Sequence, residues 1–153
     1  MISKKELADG IRFAGSRAAA AATHVKDWDH QLGHQWTTAD AFSHVAATAG
    51  GAANLVPMLG GGMLSGIGVE QIAQMNAQSI SQQSGKSRDE IAKAIVEGHE
   101  ASAKFVESLA DAELAKTVTL GGYEMPLAEI IAQIWIHHAI AHSYEASARW
   151  PIQ

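Results

Sequence analysis

Residues 126–149 read PLAEIIAQIWIHHAIAHSYEASAR, and this stretch bears on both the fold class and the candidate site. Its apolar residues recur three and four positions apart, which is the spacing of one face of a helix. The leading proline suits a first helical turn, and Pro151 would stop a helix soon after Arg149. The spacing therefore predicts a helix over residues 126–149. Its inner face is expected to comprise Leu127, Ile131, Ile134, His138, Ala141 and Glu145.

The same periodicity predicts three more helices. The first covers about residues 4–28. Two capping pairs, Thr37 with Asp40 and Ser87 with Glu90, mark where the second and third helices begin. We expect the second helix to continue to Leu59 through two glycines. Residues 111–125 look too short and broken for a core strand pair.

The connection between the second and third helices spans residues 60–86, and it is expected to hold a short helix near residues 69–81. Such a length exceeds that of a tight hairpin loop, so the two helices need not be antiparallel. The predicted fold is all-α, a four-helix bundle with a long crossover connection between helices 2 and 3. A single domain over residues 1–153 is expected from the length.

Composition excludes several classes of function. A formal net charge of -5 argues against nucleic-acid binding, and the absence of cysteine removes disulfides, thiolate nucleophiles and Cys-ligated metals. Any metal must therefore bind imidazole and oxygen. Residues 41–69 lack charge, but Pro57 and several glycines argue against a membrane span. The N-terminus shows no hydrophobic signal segment, so we expect a cytoplasmic protein.

Two histidines on the last predicted helix form the main chemical signal. His138 and His142 are four residues apart and leave the same helix face, a spacing that allows both to bind one metal ion. The zinc-protease motif is absent, because Ala139 stands where its glutamate would be. His44, near the inner side of the second helix, is the candidate third ligand. Asp40 and Glu145, each one turn from a ligand, are candidates to orient the rings.

A set of three histidines leaves one metal position open for water, as catalytic rather than structural zinc sites do. The simpler interpretation is that His138 and His142 are a hydrogen-bonded or half-exposed pair without metal.

Other motifs are weaker. His30 and His34 are four apart, but they lie near a predicted helix end. His137 is expected outside or at an interface, and His99 on the surface of the third helix. Residues 85–87, Gly-Lys-Ser, match only the end of a phosphate-binding loop, and the required earlier glycine is missing.

Two runs together resemble a known family: Trp36-Thr37-Thr38-Ala39-Asp40-Ala41-Phe42-Ser43-His44 and His138-Ala139-Ile140-Ala141-His142. They are similar to the W-T-x-x-D-x-x-x-H and H-x-x-x-H motifs of the DinB-like superfamily of four-helix metal-binding proteins. The resemblance implies that His44, His138 and His142 bind one divalent ion, usually zinc or nickel, and that dimers are frequent. It also relates the chain to the metal-binding domain of mycothiol-dependent maleylpyruvate isomerases. His138 departs from that branch, which has glutamate there, so a general metalloenzyme is expected.

The functional hypothesis is a metal-dependent thiol transferase or hydrolase acting on a small molecule. The ion would activate a low-molecular-weight thiol cofactor or water, and no catalytic residue is assigned. The alternative is a non-catalytic dimeric helical bundle with a structural metal or none. A homodimer interface is expected to involve Trp150 and Pro151 with His137.

Overall fold

Helices make up most of the chain in the computed structural model, which describes residues 2–33 and 36–147. The structure also has two short antiparallel strand pairs. In one, β1 Gln31–Leu32 pairs with β2 Trp36–Thr37, and in the other, β3 Thr117–Leu120 pairs with β4 Tyr123–Pro126. The all-α class is therefore confirmed. The helices are α1 Lys4–His24, α2 Thr38–Ala49, α3 Ala52–Gly60, α4 Val69–Ser81, α5 Arg88–Ser108, α6 Asp111–Leu114, α7 Leu127–Ala132 and α8 His138–Ser147, with a π-helical segment at Gln133–His137 between α7 and α8.

Capping pairs start two of the long helices where the sequence predicts them. The Thr37 hydroxyl accepts a hydrogen bond from the Asp40 amide, and the Asp40 carboxylate accepts one from the Thr37 amide. Ser87 and Glu90 do the same at the start of α5. These reciprocal bonds satisfy amides that a helix start otherwise leaves free. The predicted starts of α2 and α5, and the short helix α4, are confirmed.

The second predicted helix is broken in two, so the prediction of a continuous helix to Leu59 is wrong. Ser102 of α5 bridges the break: its hydroxyl donates to the Ala49 carbonyl, 2.5 Å away, and accepts from the Ala52 amide. The Trp135 indole N–H donates to the Thr48 carbonyl at 3.1 Å. Side chains from two other elements therefore bond carbonyls at the break: Ser102 supplies a donor to Ala49, and Trp135 adds a donor to Thr48, whose carbonyl also accepts the Gly51 amide.

Helix α1 packs against α5 and α8, and α2 packs against the same two helices and α4. Lys4 donates to the Leu109 carbonyl and Arg88 to the Val25 carbonyl, so α1 and α5 run antiparallel. Alanines occupy much of the buried face of α1, which lets the helices approach closely. Within the part of the chain that the structure describes, no helix is long and apolar enough to cross a membrane.

A two-stranded β-hairpin forms within and just after residues 111–125, and Val118 is the one buried residue of its strands, so it is a surface hairpin rather than the core strand pair that the sequence argues against. Gly121 and Gly122 have φ values of 57° and 85°, which glycine adopts without steric cost and which a two-residue hairpin turn requires. Val118 is buried in the core beside α3 and α7, so even this short strand contributes apolar contact. The predicted helix stop at Pro151 lies outside the described residues.

Candidate metal centre

The three histidines that the sequence singles out meet between α2 and α8. His44 lies in the second turn of α2, while His138 is the first residue of α8 and His142 lies one turn later. The Nε2 atom of His138 is 2.9 Å from Nε2 of His44 and 3.1 Å from Nε2 of His142. One ligand atom from each residue can be chosen so that all lie within 4.8 Å of one another. Residues 94 positions apart in sequence are therefore combined into one group.

The three rings differ in burial. His44 is 3% exposed, whereas His138 and His142 are partly buried. The rings meet edge to face, and the Trp36 ring lies against His44 and His142 with centroid distances of 4.9 and 5.3 Å. The contact of Trp36 with the histidine rings was not predicted from the sequence. The position of Trp36 in the W-T-x-x-D-x-x-x-H run was the available signal.

Burial also keeps two of the rings neutral. It lowers the pKa of His44 from 6.5 to about 3, and the nearby His138 and His142 rings add to that shift. It lowers the pKa of His138 to about 4, again with help from His142, while the Ile134 carbonyl acts in the opposite direction. At neutral pH both rings therefore offer an unprotonated nitrogen, which is the form that binds a metal ion.

The outer nitrogens differ in their partners. Nδ1 of His142 is 3.3 Å from a carboxylate oxygen of Glu145, as expected for a residue that orients a ligand. The Asp40 carboxylate instead bonds the Thr37 amide and hydroxyl, each at 2.8 Å. Nδ1 of His44 and Nδ1 of His138 are buried, and neither has a hydrogen-bond partner within the described ranges. Of the two residues expected to orient the rings, Glu145 therefore contacts a histidine ring, while Asp40 caps α2.

The inner face of α8 differs from the predicted one. Ala141 and Glu145, expected inside, are exposed, while Ala139, Ser143 and Ala146 are buried. The cause is the π-helical segment, which has more residues per turn than an α-helix and so rotates everything after it. The prediction of one regular helix with that inner face is wrong.

The remaining histidines lie apart from the three Nε2 atoms. His99, expected at the surface, is 2% exposed, so that expectation is wrong. His137 is exposed as expected, and its ring lies 3.1 Å from the Gln133 side-chain oxygen. His30 is exposed beside Asp27 at 3.7 Å, and its proposed partner His34 lies outside the described residues. Trp150 and Pro151, expected at an interface, also lie outside them.

The model of one protein family, the DinB superfamily, matches residues 14–145. The chain belongs to the DinB superfamily. The matched span includes all three histidines, so the resemblance carried by the two motifs is confirmed over most of the chain. No curated protein and no solved structure matches the chain.

The donor set of this DinB-superfamily chain fits a divalent ion. One nitrogen of each imidazole lies within 4.8 Å of the other two, and two of the three rings are ones that burial keeps neutral. An uncharged imidazole nitrogen carries either one N–H or one lone pair, so Nε2 of His138 cannot make full hydrogen bonds to both neighbouring Nε2 atoms, whereas an ion accepts one lone pair from each ring. His44, His138 and His142 are therefore the residues that could hold a metal.

Proposed function

We propose that this DinB-superfamily chain is a divalent-metal-dependent enzyme in which His44, His138 and His142 hold zinc or nickel. The observation that carries the proposal is the convergence of three Nε2 atoms in a buried site. A histidine set of three leaves a tetrahedral ion one position for an exogenous ligand, which favours catalysis over a structural role. The substrate is proposed to be a small molecule.

The chemistry proposed is transfer or hydrolysis with an activated thiol or water as the nucleophile. A bound divalent ion supplies Lewis acidity, which brings the pKa of such a ligand to about neutral. The chain has no cysteine, so a thiol nucleophile would come from a low-molecular-weight cofactor. Glu145 holds the His142 ring in place through Nδ1, which fixes the direction of Nε2.

The arrangement of the helices supports a proposal about the domain and its fold. We propose a single domain over residues 1–153 built as a four-helix bundle from α1, the α2–α3 pair, α5 and the α7–α8 pair. The contacts of α1 and α2 with both α5 and α8 support this arrangement, and α4 lies in the long connection that would make the crossover. A cytoplasmic homodimer is proposed from the sequence.

Metal content is the first test. Protein purified without a histidine tag should contain about one zinc or nickel ion per chain by elemental mass spectrometry. His44→Ala and His138→Ala should each lose it, because each removes a ligand. His137→Ala is the matched control, since His137 neighbours His138 but is exposed and bonded to Gln133. No metal in the unmodified protein, and no uptake from added zinc or nickel, would overturn the proposal.

Thiol dependence is the second test, and it separates the two proposed reactions. Metal-loaded protein would be screened for transfer to electrophilic substrates and for ester or amide hydrolysis, with and without an added low-molecular-weight thiol. Activity that requires the thiol supports transfer, and activity without it supports hydrolysis. Either activity should disappear in His138→Ala and persist in His137→Ala. The same rate in both variants would show that the three-histidine centre is not responsible.

A further inference from the structure

Trp36 contacts two of the three candidate ligands, although it belongs to neither of the helices that carry them. It lies on β2, and its ring centroid is 4.9 Å from that of His44 and 5.3 Å from that of His142. The ring planes meet at 56° and 35°, and both distances are within the range of attractive aromatic contacts. Because His44 lies on α2 and His142 on α8, the indole joins the two helices at the candidate metal centre.

The backbone around Trp36 is held from both sides. Trp36 pairs with Leu32 across the β1–β2 pair, and the Gln31 side-chain amide donates to the Trp36 carbonyl at 3.1 Å. On the other side, Thr37 caps α2 through its reciprocal bonds with Asp40. These contacts fix the backbone of Trp36 without using the imidazole rings, so the indole has a fixed base from which to contact them.

The indole lies where the site approaches the surface of the molecule. Trp36 is partly buried, and the side chain of His142 is 19% exposed. Apolar groups around a metal site limit the access of water and lower the local dielectric constant. A smaller side chain at position 36 would therefore leave His44 and His142 open to more water.

We propose that Trp36 is a positioning residue for the metal centre, whose indole ring holds His44 and His142 at the separation that one ion requires. The inference rests on the proposed metal function. Metal–nitrogen distances tolerate errors of only about 0.2 Å, so ligands on two separate helices gain from a group that contacts both. The indole has no lone pair for a metal ion, and so it acts only through the two histidines.

Charge favours the same contact when an ion is bound. Imidazole rings that ligate a divalent ion carry more positive charge than free rings do. Positive charge within about 6 Å of an indole ring is attracted by its π-electrons. Since both imidazole centroids lie within that distance, Trp36 should stabilise the metal-loaded protein more than the metal-free protein, which raises the affinity for the ion.

Zinc affinity of the full chain, measured by competition with a chromophoric chelator, tests the proposal. Trp36→Leu removes the ring but keeps an apolar side chain, and we expect zinc binding about 10-fold weaker. Trp36→Phe keeps an aromatic ring, so its zinc affinity should lie closer to that of the unmodified protein.

Trp28→Leu is the matched control. Trp28 also lies in the connection between α1 and α2, and its ring stacks on Phe42 of α2 with 5.6 Å between the centroids. Among the described residues, no histidine ring contacts it. Trp28→Leu should lower the melting temperature and leave zinc affinity unchanged, because it removes aromatic packing from α2 without touching a ligand. Equal weakening of zinc binding in Trp28→Leu and Trp36→Leu would overturn the positioning role.

Two spectroscopic signals report the site itself rather than the stability of the fold. The visible absorption of the cobalt(II)-loaded protein depends on ligand geometry, so it should change in Trp36→Leu and stay the same in Trp28→Leu. Bound nickel(II) quenches nearby indole fluorescence, so it should quench a smaller fraction of the fluorescence in Trp36→Phe than in Trp28→Phe. Equal quenching in these two proteins would contradict the contact of Trp36 with the ligands.

The outcomes separate this inference from the function on which it rests. Unmodified protein that binds zinc, with Trp36→Leu equal to it in affinity and cobalt spectrum, overturns the positioning role alone. Unmodified protein that binds no zinc overturns both. If circular dichroism shows that Trp36→Leu is unfolded, Trp36→Ile replaces it, because a β-branched side chain suits the strand conformation of β2. Weaker zinc binding with an altered cobalt spectrum in that protein supports the inference, and the absence of both changes overturns it.

Discussion

Ser102 shows how a single buried hydroxyl supports the candidate site from a distance. It joins the Ala49 carbonyl to the Ala52 amide across the break between α2 and α3, and it is 1% exposed. Since His44 lies five residues before Ala49, the last residue of α2, the end of α2 must be held for His44 to keep its place. If a buried carbonyl loses its hydrogen-bond donor, the folded state is destabilised by the full free energy of desolvating that carbonyl.

We therefore expect Ser102→Ala to lower the free energy of unfolding by about 1–3 kcal/mol, measured by urea denaturation. Ser108→Ala is the control, because the Ser108 hydroxyl bonds its own helix at an exposed position. It should change the free energy of unfolding by less than about 0.5 kcal/mol. If both variants lost the same free energy of unfolding, the hydrogen bonds of Ser102 across the break would add no more stability than an exposed serine hydroxyl does.

The three candidate ligands could be predicted from the sequence, whereas the burial of His99 could not. His138 and His142 share a helix face because of their spacing, and His44 lies close to an apolar stripe. His99 was expected at the surface, because its helix alone gives no sign that a glycine opposite will admit it. Gly15 in an otherwise regular helix was the available signal, since such a glycine often marks a close packing contact.

At the scale of elements, α2 and α5 approach closely where Gly98 faces the end of α2. A Cβ on Gly98 would lie 2.5 Å from Cβ of Ala49 and 2.8 Å from the amide nitrogen of Gly50. Neither of those atoms is the end of a flexible side chain, so the helices would have to separate. The spacing of α2 from its neighbours, and hence of His44 from His138, depends on this contact.

Gly98→Ala should therefore destabilise the protein by about 1–3 kcal/mol, as expected for added volume in a packed core. Gly60→Ala is the matched control, since a Cβ there meets nothing within 4 Å. Replacing that helical glycine should be neutral or stabilise by up to about 1 kcal/mol. Thermal unfolding of both variants measures the difference, and a Gly98→Ala protein as stable as the control would contradict the close contact.

Element boundaries were predictable where local chemistry sets them. Thr37 and Ser87 begin helices because hydroxyl and carboxylate satisfy free amides, which is visible within four residues of sequence. The break after Ala49 depends on donors from Ser102 and Trp135, which belong to other elements, and the π-helical segment contains the second of these donors. No local pattern contains those partners, so periodicity predicted continuous helices at both places.

At the scale of the whole molecule, two neutral buried histidines make the metal-free protein sensitive to acid. The pKa of His44 is about 3 and that of His138 about 4 in the fold, against 6.5 in an unfolded chain. Between pH 6.5 and 4 the unfolded chain therefore binds more protons than the folded one. The free energy of unfolding must fall as the pH drops through that window.

Each of these two rings contributes a slope of up to about 1.4 kcal/mol per pH unit. We expect metal-free protein to lose stability from pH 6.5 to 5, measured by urea denaturation at each pH, and a His44→Leu/His138→Leu protein to show a shallower slope. Carboxylates with lowered pKa, such as Glu100 and Glu107 beside Arg12, act mainly below their ordinary value of 4.5. Parallel slopes for both proteins above pH 5 would contradict neutral burial of the histidines.

Metal removal distinguishes a catalytic ion from the alternative of a structural one. Apolar clusters fill both halves of the structure, one including Leu7, Ile131 and Trp135 and the other Phe42, Val45 and Ile95. Because neither cluster depends on an ion, we expect chelated protein to keep its helical circular dichroism and to unfold cooperatively. Its melting temperature should fall modestly, because an ion that binds only the folded state stabilises that state, and chelation removes this contribution alone. Loss of the cooperative transition on chelation, restored by added zinc, would instead assign the ion a structural role, since a structural site supplies folding free energy directly.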